Sequence, residues 1–271
     1  MSFSSRLRRL QTQKDSIVCV GLDPVPARLP GPLRDGRLLP EAVRTFCADI
    51  IEATAPYACA FKPNLAFFEA LGPAGHTVLA QVLATVPDDC LVVADAKRGD
   101  IGHSSNAYAR SLYDTFNADA CTVSPYLGRD SVAPFLSEED RCAFVLARTS
   151  NDGAADLQEA CTCNGVPLYR HVARTVAGWD DAAEGTAGLV AGATAPEALA
   201  ELREDAPSLP FLIPGVGAQG GDPSAVMDAA QTDDGPVLIN SSRSIIYASE
   251  GDDYAEAAAD AASDLQNALR A

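Results

Sequence analysis

Residues 91–105 read LVVADAKRGDIGHSS, an apolar run that delivers Asp95, Lys97, Arg98, Asp100 and His103 in close succession. Lysine is scarce in this chain of 271 residues, which has Lys14, Lys62 and Lys97 and no other. An ammonium between two carboxylates is suited to delivering a proton, because alternating acid and base charges favour one another's ionised forms. Asp95 and Lys97 are two apart, so on a strand they share a face. Asp100 follows the Gly99 turn and points elsewhere, toward a neighbouring subunit. His103 has no part in such chemistry and reads as a loop residue. A solvated loop of mixed charge could carry the same letters, so the elements around the segment have to decide.

Those elements recur. Nearly continuous apolar runs stand at 17–23, 58–64, 91–97, 120–126, 143–149, 188–194, 211–217 and 237–243. Runs of this kind suit a parallel sheet covered on both faces. Helical patterns lie between them at 41–55, 75–86 and 195–205, and a further helix closes the chain from Tyr254. Repeated βα units predict an α/β fold, a single-domain (β/α)8 TIM barrel spanning 1–271. The alternative is an open doubly wound sheet. It is weakened by GLDPVPARLPG standing after the first strand, where a dinucleotide-binding turn would be.

In a barrel, chemistry gathers where strands end. Asp23 ends the first run, Lys62 and Asn64 the second, and Asp95, Lys97 and Asp100 the third. Ser124 and Tyr126 end the fourth, Arg148, Thr149, Ser150 and Asn151 the fifth, and Thr194 the sixth. Two of the lysines thus meet three carboxylates at one mouth. After the seventh run, PGVGAQGGDPS offers backbone N–H groups that can approach an anion, with Gln219 as an amide donor. Arg243, ending the eighth, can supply a guanidinium, and barrels often bind phosphate at these two loops.

Composition narrows the partners. Lys and Arg number 20 against 37 Asp and Glu, a net charge of −17, which repels phosphate backbones and anionic lipid. No nucleic acid and no membrane are expected as partners, and the spread acidity suggests a surface suited to high salt. MSFSSRLRRLQTQKDS reads as a short amphipathic helix with Leu7 and Leu10 on one side, without the apolar core of a secretory signal. No apolar run reaches the ~20 residues of a membrane span, and a cytoplasmic protein is expected. Most of the eight cysteines sit singly in apolar segments and read as buried, reduced thiols. Cys161, Cys163 and nearby His171 lack a clear fourth ligand, so no zinc site is expected.

Taken together, the motifs CVGLDP, FKPNLAFFE, DAKRGDIGHS, ARTSN, PGVGAQGGD and SSRSIIYA resemble the orotidine 5′-phosphate decarboxylase family, in particular its longer bacterial-type branch. The resemblance runs over nearly the whole chain. D-x-K-x-x-D alone is shared with sister enzymes acting on sugar phosphates; joined to Lys62 in FKPN and to the glycine-rich loop it is more specific. The resemblance implies that orotidine 5′-phosphate becomes UMP and CO2 in pyrimidine biosynthesis. No metal, flavin or pyridoxal cofactor is implied. It implies a catalytic set of Lys62, Asp95, Lys97 and Asp100, the last reaching into the partner's site across a homodimer. It further implies that Asp23 binds ribose hydroxyls, Ser150 meets the pyrimidine, and Gln219 and Arg243 hold the phosphate. Asn64 and Ser104 also fall at substrate-binding positions, Ser104 where many relatives carry threonine.

Three other readings compete. A sugar-phosphate synthase or decarboxylase would use Mg2+ and would be expected to carry an acid in place of Lys62. A Schiff-base aldolase needs a neutral amine, which flanking carboxylates oppose. A barrel that only binds a phosphorylated metabolite would show binding without turnover.

Overall fold

A computed structural model describes residues 1–270 other than Ala218, Gln219 and Asp233. Eight strands close a parallel barrel: β1 (Val18–Leu22), β2 (Ala60–Pro63), β3 (Leu91–Arg98), β4 (Ala120–Val123), β5 (Cys142–Arg148), β6 (Thr186–Ala191), β7 (Phe211–Pro214) and β8 (Val237–Ser241). β8 pairs back onto β1 through Val18 and Ile239. Every expected apolar run contributes its strand. Most ladders stop one to three residues short of the expected C-terminal ends.

The helical patterns fold as Leu39–Thr54, Gly75–Leu83, Pro196–Asp205 and Tyr254–Ala268. Their apolar faces cover the strands from outside, with Phe46, Ile50, Ile51 and Val82 fully buried. The barrel interior is a second core. Cys19, Cys59, Leu91, Val93, Phe144, Leu212 and Leu238 fill it, and the N-terminal helix Phe3–Lys14 plugs its floor with Phe3, Leu7 and Leu10. Phe3 meets Phe144 edge-on at 6.0 Å, a favoured aromatic geometry. Arg6 on the same helix pairs with Asp119, whose other carboxylate oxygen accepts the Val92 N–H at 2.8 Å. With the floor sealed, the other end of the barrel is left as the mouth. No helix among the described residues is long and apolar enough to cross a membrane.

Candidate active site

At the mouth stands a carboxylate held by two ammonium groups. Lys62, inward-facing on β2 and buried, donates to Asp95 Oδ2 at 2.8 Å. Lys97 donates to Oδ1 at 2.5 Å, and Thr122 Oγ1 on β4 donates to the same oxygen at 2.9 Å. Asp95 therefore has three donors on its two oxygens. Burial by itself would raise its carboxyl pKa, but Lys62 and then Lys97 outweigh that and hold it well below the usual carboxylate range. For Lys62, burial opposes the charge, yet Asp95 and Asp23 keep its ammonium above the usual lysine value.

The backbone that presents Lys97 is irregular. β3 pairs with β4 through Ala94 and Cys121 and again through Arg98 and Val123, so residues 95–97 stand opposite Thr122 alone. Such a bulge re-aims side chains. Within it Lys97 adopts φ 46°, a left-handed conformation costing roughly 1–2 kcal/mol for a residue with a Cβ. Its N–H donates to Thr122 Oγ1 at 3.0 Å. Simple strand alternation was the expected reason for Asp95 and Lys97 to face together; the bulge is the actual one. Asp95 is buried, whereas the Lys97 side chain is 50% exposed.

Beside this cluster lies a cavity of about 170 Å3 whose lining includes Asp23, Lys62, Asp95, Asn240, Ser242 and Arg243. Asp23 Oδ1 and Asn240 Oδ1 are buried without a hydrogen-bond partner. Buried acceptors of that kind in a cavity wall are poised to meet a polar ligand. Larger cavities lie elsewhere, among them two of about 510 Å3: one at the floor against Arg6 and Asp119, one beside Tyr126 and Trp179. Neither includes the Lys62–Asp95–Lys97 cluster, so chemistry and not size makes the mouth the candidate site.

The loop after β7 is shaped for close backbone approach. Gly217 has φ 81° and accepts from Gly220 N at 2.9 Å, and Gly215 accepts from Gly221 N at 3.1 Å. Arg243 begins a one-turn helix, Arg243–Ile246, with its side chain at the cavity. A family model described as Orotidine 5'-phosphate decarboxylase / HUMPS family matches residues 16–259.

The chain belongs to that family. It is 46% identical over 273 residues to the orotidine 5'-phosphate decarboxylase of Roseiflexus castenholzii, covering 100% of this chain and 98% of that protein. It is 47% identical over 274 residues to the Bordetella petrii protein of the same name, covering 99% and 98%. The Leishmania donovani OMP decarboxylase structure superposes with a TM-score of 0.84 at 39% identity, covering all of both chains.

Within this orotidine 5′-phosphate decarboxylase-family barrel, Lys62, Asp95 and Lys97 come together as one cluster, and Asp23 and Arg243 face the adjoining cavity. Asp100 stands apart: its Oδ1 accepts the Ile101 N–H at 2.8 Å, and Lys97 pairs with Asp95 instead. Asn64 caps the helix Leu65–Glu69 by accepting the Ala66 N–H at 3.2 Å. Ser104 is exposed on the helix Gly102–Arg110. Ser150 follows β5 half-buried, where Gly192 lets its backbone come close; a Cβ at 192 would lie 2.9 Å from the Ser150 nitrogen. Gln219 lies outside the described residues.

Sequence reasoning missed four residues. Thr122 and Asn240 are polar groups on inward positions of apolar runs, ACTV and VLIN, and that contrast was the available signal. Tyr247 accepts the Val25 N–H at 2.6 Å and donates to the Asp23 carbonyl at 3.0 Å, pinning the loop after β1. Gln158 accepts the Thr149 N–H at 2.8 Å and donates to its hydroxyl at 2.9 Å, bracing the segment that carries Ser150. Tyr247 acts across more than 200 positions of chain and Gln158 across a loop of nine, and neither left a local pattern.

Proposed function

We propose that this chain converts orotidine 5′-phosphate to UMP and CO2 by electrostatic stabilisation, with Lys97 as proton donor. The carrying observation is the Asp95 carboxylate clamped between Lys62 and Lys97 beside a cavity that ends at Arg243. The bond from C6 to the substrate carboxylate breaks, CO2 leaves, and the electron pair stays on C6 in the ring plane. The Lys97 ammonium offsets that charge as it develops and passes a proton to C6; solvent then reprotonates the amine. Asp95, next to the departing carboxylate, disfavours the bound ground state relative to the product side. Lys62 neutralises and orients Asp95. Asp23 binds ribose hydroxyls, Ser150 the pyrimidine, and Arg243 with Gln219 the phosphate, whose binding energy orients the reacting carbon.

Asp100, which bonds to the Ile101 N–H while Lys97 pairs with Asp95, completes the site of a second copy in a homodimer, and Ser104 on the following helix binds substrate. Exposed Ile101, Tyr126 and Leu127 on the loops after β3 and β4 support an interface there. Six buried free thiols support a reducing cytoplasmic setting, and the net charge of −17 supports a high-salt one.

A single ultraviolet assay with orotidine 5′-phosphate separates turnover from mere binding. Activity is expected to survive exhaustive EDTA treatment at high monovalent salt, because a cation at Lys62 repels a divalent metal. Lys62→Glu should lose it. Loss of activity in EDTA with recovery in Mg2+ would give the site to a sugar-phosphate substrate.

A further inference from the structure

We infer that Thr122 is a positioning residue for the decarboxylation proposed above, its hydroxyl setting where the Lys97 ammonium sits relative to Asp95. The inference rests on that reading of the site.

The hydrogen-bond directions are determined by counting protons. Thr122 Oγ1 lies 3.0 Å from the Lys97 backbone nitrogen and 2.9 Å from Asp95 Oδ1. A backbone N–H can only donate, so the hydroxyl accepts there and its single proton must go to Asp95. Thr122 is 2% exposed, which shields both bonds from exchange with bulk solvent. One side chain thus grips the backbone of the lysine and the carboxylate that the lysine's own ammonium contacts at 2.5 Å.

The bulge explains why such a grip is needed. On the side facing β4, the β3 backbone between Ala94 and Arg98 has no partner other than the Thr122 position, while Asp95 bridges Asn64 on the side facing β2, and Lys97 lies in the left-handed region at φ 46°. The Thr122 hydroxyl replaces the ladder acceptor that the bulge removes. Without it, the Lys97 N–H loses its acceptor and Asp95 Oδ1 keeps Lys97 alone. Strained backbone persists only where its surroundings over-determine it, and a small displacement of a proton donor is costly to rate. The phosphate end of the cavity, at Arg243, touches none of these atoms, so nucleotide affinity should be insulated from the change.

The test compares Thr122→Val, which keeps shape and removes the hydroxyl, with Thr122→Ser, which keeps the hydroxyl. Steady-state kinetics with orotidine 5′-phosphate and UMP inhibition constants are measured on wild type and both variants, per folded site. Thr122→Val should lower kcat by about ten- to a hundredfold, the range for leaving a buried donor unpaired. UMP inhibition should stay within about threefold, and Thr122→Ser should restore kcat to within about threefold of wild type. If Thr122→Val yields no folded protein, Thr122→Cys, whose thiol is a weaker partner, takes its place under the same criteria. Unchanged kcat in the hydroxyl-free variant, an equal loss in the serine variant, or a loss confined to KM and UMP binding would overturn the inference while leaving the decarboxylase reading intact. An inert wild type would overturn both.

Discussion

At the scale of single residues, the site is a problem of placing charge. Lys62 is buried, and only its carboxylate neighbours make that tolerable. Lys97 projects from a strained backbone and has the exposure to meet a substrate. Lys97→Ala should abolish turnover while UMP still binds; turnover within tenfold of wild type, a barrier change below about 1.4 kcal/mol, would remove Lys97 from the donor role. The buried pair also predicts a pH dependence of stability. Asp95 is held below its ordinary value of 3.8, so beneath about pH 4 the unfolded chain takes up a proton that the native carboxylate refuses, and stability falls as pH falls. Lys62 is held above its ordinary 10.5, so its contribution is complete below that pH and is lost as pH rises beyond it. Between these limits the pair contributes a plateau. Lys62→Met removes the main charge holding Asp95 down, so urea midpoints followed from pH 3 to 8 should be lower than wild type at neutral pH but fall less below about pH 4, the gap between the two proteins narrowing as pH drops. Superimposable profiles would mean that the pair is not the coupled unit described here.

At the scale of elements, the barrel divides its work between two ends. The helix Phe3–Lys14 stoppers one end through Phe3, Leu7 and Leu10, and the site occupies the other. Phe3 is fully buried against Phe144 and lies on the opposite side of the interior core from the Asp95 cluster. Phe3→Ala should therefore cost about 3–5 kcal/mol of unfolding free energy while leaving kcat of the folded protein within about twofold of wild type. Chemical denaturation and kinetics on the same preparation measure both. A large fall in kcat at unchanged stability would show that the floor is coupled to the mouth. The bulge in β3 is the corresponding device at the active end, spending regular pairing to aim one ammonium.

At the scale of the whole molecule, the geometry leaves one predicted carboxylate without a task in its own subunit. Asp100 accepts the neighbouring Ile101 N–H, while Lys97 pairs with Asp95. If it serves a second copy, Lys97→Ala and Asp100→Ala are each inactive alone. Mixed dimers can then collect both lesions in one site and leave the other intact. Mixing the two variants under conditions of proven subunit exchange should restore activity, up to about a quarter of wild type for random pairing of equal amounts, provided that each intact site works independently. No recovery would return Asp100 to a local structural role.

The apolar runs by themselves determined eight strands and their order, because burial on both faces of a parallel sheet leaves a strong and local pattern. The strand-end rule likewise pointed to Lys62, Asp95, Lys97, Asp23 and Arg243 before any contact was known. Three things were decided only in three dimensions. The docking of Phe3, Leu7 and Leu10 under the barrel depends on a cavity that exists only after closure. The aim of Lys97 depends on a bulge defined by the register of β3 against β4, which no single segment encodes. Thr122, Tyr247 and Gln158 reach the site through pairings across 9 to 224 positions of chain, and Asn240 through the register of β8 against β1. A hydroxyl or amide in an apolar run looks alike whether it is idle or indispensable, and only the atoms opposite it tell the two apart.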